Sequence, residues 1–307
     1  MKKAFILGTC LALLTTFTSC TNPIPASSIA ATTAATTATS GTAAPIFSAV
    51  DLPRIDGSTA NIPLCSLMLQ RAAGMSAADA DVTADKFTTT PNAYLNLVQG
   101  KTDLLLAYEA DEGTKQSIMD SGVELEYHPI GRDALVFLEN AINPVKNLAT
   151  KQIQDIYQGK ITNWKDMGGN DQSIVAYQRA AASGSQALMI KLVMGNLKLM
   201  DAPQDLYPAE MGGLIDALGS YNNAGNALGY SVYYYAKNMY NQPGLGFLSV
   251  DGVAPSNDTI RDGSYPFVNE FYAVVRKDCD SNTRKLLDWI LSDAGKQCVT
   301  DAGYVGI

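Results

Sequence analysis

From Ile62 the chain repeats apolar residues at helical spacing through Leu64, Leu67, Met68 and Ala72, which predicts a helix with one apolar face. Pro63 suits an early helical position, and Ser58 and Thr59 suit the entering loop and cap. The order returns at Thr88, Thr89 and Thr90, where three hydroxyls precede Pro91 and a helical pattern through Tyr94, Leu95, Leu97 and Val98. Residues 104–107 form a short apolar run, predicted as a buried strand, and the acidic stretch 109–112 after it reads as a loop. Residues 134–138 and 267–275 read as further strands, with Asn143-Pro144 a break between elements. Helices are predicted over 150–157, 186–193, 213–218 and 282–291, with a further turn around 296–299. Strands alternate with helices and no segment repeats at a fixed period, so the pattern predicts an α/β architecture.

The two ends of this pattern differ in kind. Residues 21–45 are almost wholly Thr, Ala, Ser and Pro, without charge or apolar period; such a stretch cannot bury enough surface to order itself and reads as a tether, with folding expected to begin near Phe47. Residues 1–20 run from Lys2 and Lys3 through an apolar stretch to Ser19-Cys20, the order of an export signal and too short for a dedicated membrane span. Cys20 after small residues resembles a bacterial lipoprotein cleavage box, with Phe17 departing from the usual aliphatic residue. The expectation is lipidation at Cys20, the alternative a simple cleaved signal.

A hydrophobic content of 47% over 307 residues supports a sizeable core and room for two lobes of about 100–150 residues each. The chain has 22 basic and 30 acidic residues, and without Lys2 and Lys3 the net charge is near −10, so nucleic acid and anionic membrane surfaces are poor partners. A bound anion stays permissible, because charges beyond roughly 8 Å are largely screened at physiological salt. Cys65, Cys279 and Cys298 lie beyond Cys10 and Cys20; at most one intramolecular bridge can form, with Cys279 to Cys298 conceivable and free thiols equally compatible. With His128 the only histidine and no zinc spacing among the cysteines, metal or His-based catalysis has almost no material, and neither a cofactor nor a catalytic residue is assigned. No phosphate-loop, dinucleotide or nucleophile-elbow fingerprint occurs.

One stretch does carry chemistry. In residues 177–186 (YQRAAASGSQ) Arg179 stands four residues ahead of Ser183-Gly184-Ser185, and a helical pattern follows at once. A strand, a tight turn and a helix start would bring two hydroxyls, a close-approaching glycine, unpaired helix amides and a guanidinium to one spot suited to an oxyanion. The alternative is that Ser183 only caps its helix and Arg179 is a solvated surface residue. Neither Arg179 nor Ser185 is expected in the core.

Several segments in order resemble the phosphate-binding solute receptors of bacterial ABC importers: 161–170 (ITNWKDMGGN) after Gly159-Lys160, Arg179 with Ser183-Gly184-Ser185, Asp56-Gly57-Ser58-Thr59, the Arg132-Asp133-Ala134-Leu135-Val136 strand, residues 250–255, Tyr265-Pro266 and residues 302–305. The resemblance covers essentially residues 50–307. It implies a two-lobed type II periplasmic-binding-protein fold of the α/β class with two crossing hinge strands, near 134–138 and 266–272. Lobe one would comprise 46–138 and 265–307, and lobe two 139–264. It further implies that Ser58, Thr59, Thr89, Thr90, Arg179, Ser183, Gly184 and Ser185 hold a small oxyanion, most simply phosphate. The implied partner is an ABC permease in the membrane, and the receptor would be an exported, lipid-anchored monomer. The family usually follows the strand beginning at Asp103 with glycine, serines and a carboxylate or arginine. Here the run is Leu105, Leu106, Ala107, Tyr108, Glu109. The carboxylate that accepts the ligand's proton is thus missing or displaced to Glu109 or Asp111, and Tyr108 is either a replacement donor or packing at the cleft edge.

Three other readings stand beside this one. The receptor would take a sulfate-like anion or a small carboxylate; an exported enzyme would use Glu109, Asp111 and Tyr108; or a surface adhesin would present the Tyr-rich run 229–240, whose tyrosines fall at helical spacing.

Overall fold

The computed structural model describes residues 45–48, 50–181, 183–201, 208, 211–220 and 225–307. The leader, the tether up to Ala44 and Cys20 lie outside the described residues.

Strand β1 (Ile55–Gly57) runs parallel to β2 (Leu104–Tyr108), and all five residues of β2 are buried. Between them the chain forms α1 (Ile62–Ala73), α2 (Ala77–Ala84) and α3 (Thr90–Val98). Pro63 sits in the first turn of α1 as its sequence suggests, but Asn61 rather than Ser58 or Thr59 is the cap residue, and a short 3-10 turn, Thr59–Asn61, intervenes. After β2 comes α4 (Glu112–Ser121), capped by Asp111, whose carboxylate accepts from Thr114 N at 3.0 Å. The expected acidic loop is thus the entry to a helix, because Asp111 and Glu112 complement its N-terminal dipole.

The organising element is β3 (Leu125–Asn140), sixteen residues long where only five were legible as a strand. Its first part pairs antiparallel with β9 (Val268–Arg276), from Leu125 opposite Arg276 to Ala134 opposite Val268. At Leu135 it changes partner to β6 (Ala227–Val232), with β7 (Leu245–Phe247) on its far end. The result is one seven-stranded sheet, order β1-β2-β9-β3-β6-β5, with β5 (Val175–Ala176) parallel to β6 and β7 off this path on β3. Both half-sheets belong to one unit, Thr42–Ile307. The two strands that pass between the halves do so at Ala134/Leu135 and Phe267/Val268, where Leu135 N donates to Phe267 O at 3.0 Å.

The second half adds β4 (Asn147–Leu148) with β8 (Ser249–Val250), helices α5 (Thr150–Tyr157), α6 (Gly184–Leu188), α7 (Met211–Gly219) and α8 (Asn257–Arg261), and a π-helical turn, Met189–Met194, that continues α6. Helices α9 (Ser281–Leu291) and α10 (Asp293–Asp301) return to the first half. The Tyr-rich run is not one helix: Tyr230 lies on β6, and residues 233–239 form a short helical stretch whose last part, Tyr235–Met239, is a π-helix. Phe137, Tyr157, Tyr230 and Phe267 pack with ring centroids 5.6–6.3 Å apart around the partner change of β3. Burial of such rings supplies the largest apolar areas per residue, and this cluster sits where the two half-sheets join.

Cys65, Cys279 and Cys298 are free thiols. The conceivable Cys279–Cys298 bridge does not form: Cys298 faces the core from α10, together with Cys65, while Cys279 sits in the loop ahead of α9. Burial pushes the Cys298 thiol up to about 11 and Cys65 higher still, which keeps both protonated and unreactive. Among the described residues no helix is long and apolar enough to cross a membrane, and no cluster of metal-ligating side chains occurs.

Candidate functional site

The C-terminal ends of the strands converge on one cavity of about 460 Å³, within the range of small-molecule sites and at the sheet edge where α/β folds place them. Gly57 ends β1 there. A Cβ at this position would stand 2.0 Å from Leu106 O, so only glycine lets β1 lie against β2 and deliver Ser58 to the cavity. Ser58 N donates to Leu106 O at 3.0 Å, Tyr108 N donates to Ser58 Oγ at 3.4 Å, and Ser58 and Thr90 share a short hydroxyl–hydroxyl hydrogen bond. The Ser58 hydroxyl therefore joins β1, β2 and α3 at the cavity and caps no helix.

Asp56 holds the third wall. Its carboxylate accepts from Thr88 N at 2.8 Å and Asn96 Nδ2 at 2.9 Å, which pins the residues leading into α3 and presents Thr88, Thr89 and Thr90 to the cavity. Thr89 is the cap residue of α3 yet makes no side-chain capping bond.

From the other half, the chain leaves β5, and Tyr177 N extends the ladder to Leu228 O at 2.8 Å. Arg179 follows, 5% exposed, its backbone N–H donating to Tyr230 Oη at 3.0 Å and Gln186 Oε1 at 3.2 Å. Arg179 is thus no solvated surface residue, and Ser185, 1% exposed, is equally buried, contrary to the expectation that neither lies in the core. Ser183 does cap its helix, accepting from Gln186 N at 3.2 Å, and its Oγ lies 3.3 Å from Ser185 Oγ. A Cβ at Gly184 would come 3.1 Å from Thr90 Oγ1, so α6 and α3 meet across the cavity at a glycine.

All nine expected residues, Ser58, Thr59, Thr89, Thr90, Tyr108, Arg179, Ser183, Gly184 and Ser185, line this one cavity, joined by Ala60, Thr88, Asn92, Ala180, Val232 and Tyr235. Arg179 is the one charged side chain among the described residues that line it. A second hollow, of about 410 Å³, is lined by Arg261, Asp293, Lys296 and the chain end. Those side chains are exposed, and none of the expected residues is there.

Neither suggested replacement carboxylate lines the cavity. Asp111 caps α4, and Glu109 binds Lys115 at 2.6 Å and Lys191. Burial works to raise the Glu109 carboxyl, but the two lysines outweigh it and hold it below its usual range. Tyr108 donates its phenol to Asp133 Oδ2 at 2.7 Å; burial, the Asp133 charge and this bond push the phenol well above its ordinary value. Asp133 went unassigned in the sequence, although a lone carboxylate inside an apolar strand is a signal of a buried polar role.

Residues 26–294 match the family described as the PBP superfamily domain. The phosphate-binding protein PstS of Bacillus subtilis is 27% identical over 178 residues, which are 57% of this chain and 56% of that protein. That of Borreliella burgdorferi is 26% identical over 66% of this chain and 72% of its own. A solved structure from Clostridium perfringens, described as a candidate phosphate ABC transporter substrate-binding protein with bound phosphate, superposes with a TM-score of 0.64 at 25% identity. It covers 82% of this chain and 98% of its own.

Proposed function

This chain belongs to the phosphate-binding periplasmic-binding-protein family of the PBP superfamily, with the type II fold, and on that premise we propose that it is a solute receptor that captures phosphate in the cavity between its half-sheets. The observation that carries the reading is the convergence of a buried arginine, six serine and threonine residues and Gly184 from both halves on one cavity. Arg179 supplies a fixed positive charge, and Ser58, Thr59, Thr89, Thr90, Ser183 and Ser185 supply neutral donors and acceptors around it. Hydrogen bonds to a charged group contribute about 1.5–3 kcal/mol each. Four to six of them reach the roughly −8.2 kcal/mol of micromolar affinity once ordering and desolvation take their share.

In this reading, residues 46–138 with 265–307 and residues 139–264 are two lobes that close by bending where β3 and β9 pass between the half-sheets. The receptor is exported, acylated at Cys20, held off the membrane by residues 21–45, and as a monomer delivers its ligand to an ABC permease without catalysis. The similarity to a described transporter substrate-binding protein supports the permease partner; the sequence of residues 1–45 is the support for the anchor.

Calorimetric titration with phosphate, sulfate and small carboxylates tests the ligand. Saturable phosphate binding at micromolar concentrations is expected. Heat from none of the anions, or binding of a carboxylate alone, would sink the reading.

A further inference from the structure

Asp133 is 1% exposed and sits on β3 two residues before Leu135, where the strand changes partner. Its Oδ2 accepts from the Tyr108 phenol at 2.7 Å, and its Oδ1 accepts from Ala134 N at 2.8 Å and Tyr234 N at 3.1 Å. Tyr108 ends β2 and lines the cavity, whereas Tyr234 lies beyond the end of β6, in the other half-sheet. A single buried carboxylate therefore binds both halves at the crossing.

The surroundings make this more than a local anchor. The groups acting on Asp133 are the phenols of Tyr108, Tyr234 and Tyr304 and the backbone amides of Ala134, Tyr233 and Tyr234. Those neutral donors solvate the carboxylate, which a low-dielectric site would otherwise reject. The Tyr234 ring stacks on Tyr304 at 3.5 Å between centroids and 8° between planes. Tyr304 Oη then donates to Ala60 O at 2.6 Å, and Ala60 is itself part of the cavity wall. The connection leaves the cavity at Tyr108 and returns to it at Ala60, passing through the second half on the way.

We propose that Asp133 is a positioning residue for the cavity: it holds Tyr108 in the wall and the Tyr234 segment against it, so that seating phosphate and bringing the two halves together are one event. The inference rests on the phosphate-receptor reading. Burial raises the Asp133 carboxyl to about 6, against the hydrogen bonds that favour its charge. The ionised group accepts all three bonds. Protonation leaves the group one acceptor fewer and lets Oδ2 donate to the Tyr108 hydroxyl in place of accepting from it.

The test is phosphate calorimetry with solution scattering on the full chain, for the parent, Tyr108→Phe, Asp133→Asn and the double variant. Each single change is expected to weaken phosphate binding about tenfold and to reduce the compaction at saturating phosphate. The double variant should bind no more weakly than either single, because both remove the same bond, whereas independent roles would compound to about a hundredfold. Parent-like affinity in Asp133→Asn, compounding losses, or a lowered melting temperature with unchanged affinity would each overturn the proposal. If Asp133→Asn does not fold, Tyr108→Phe decides alone, parent-like affinity and compaction counting against it. A parent that binds no phosphate overturns the receptor reading itself, an outcome distinct from a parent that binds and variants that bind equally well.

Discussion

Lys191 Nζ, on the π-helical turn that continues α6, donates to Glu109 Oε2 on the segment leaving β2, and Lys115 on α4 holds the other carboxylate oxygen at 2.6 Å. The first of these ion pairs ties the second half-sheet's helix to the first half-sheet beside the cavity. Glu109 is committed to that role and is withdrawn from the ligand.

Breaking the tie by Lys191→Ala should weaken phosphate binding by up to about fivefold, the range of partly exposed ion pairs, and the loss should shrink at high salt. Scattering should show a more open phosphate-free form. Because the Glu109 carboxyl is held below its ordinary value of 4.5, its contribution is present above that value and is lost as pH falls through the lower folded-state value. An affinity indifferent to both substitution and salt would contradict the closure role.

Arg179→Ala removes the charged member of the cavity lining and should cost on the order of 2–4 kcal/mol of phosphate binding, roughly 30- to 1000-fold. Ser185→Ala should cost about 1 kcal/mol, since the backbone amides remain. Titration of both beside the parent checks the ordering; equal losses would mean that charge does not dominate recognition.

Gly184→Ala separates binding from stability. The new methyl would stand 3.1 Å from Thr90 Oγ1, tight enough to push the two walls apart, while removing a glycine from a helix end stabilises the fold or leaves it unchanged. Affinity should fall about tenfold with a melting temperature at or above the parent's. A drop in melting temperature without loss of binding would contradict the contact.

Asp133 predicts a slope of stability with pH. Its folded value of about 6 lies above the ordinary 3.8, so the folded chain holds the proton more tightly, and the stability from that proton is full below 3.8 and lost as pH rises through about 6. The loss is on the order of a few kcal/mol. Thermal unfolding of the parent and Asp133→Asn between pH 3.5 and about 7 should show stability falling more with rising pH in the parent than in the variant.

Residues before Pro45 are expected to be dispensable for folding. Ile46 N and Phe47 N both donate to Ala72 O, at 2.8 and 3.1 Å, and Phe47 is buried beneath Lys285. A chain starting at Pro45 should unfold cooperatively with the parent's melting temperature, whereas Phe47→Ala should cost about 3–5 kcal/mol. Cys20→Ser should release the protein from membranes; unchanged attachment would refute acylation there.

The amino-acid sequence by itself determined the local elements whose periodicity is strong. Helix α5 falls at 150–157 as read, α9 and β9 within a residue, and β2 one residue longer. It also determined the cast of the cavity, because Arg179, the Ser183–Ser185 turn and the two hydroxyl-rich segments are recognisable from residue type and order alone. Tertiary structure decided what depends on partners far along the chain. The length of β3 was hidden because residues 125–133 mix polar with apolar positions and are strand only through pairing with β9, more than 130 residues away. Helices α2 and α4 lack a strong apolar stripe, and α4 declares itself through its Asp111 cap. The fates of the carboxylates were equally non-local. Glu109 could be assigned to Lys191, and Asp133 to Tyr108 and Tyr234, only when strands and helices distant in sequence had been packed together, since a charge is directed by the donors that surround it and no local pattern records which those will be.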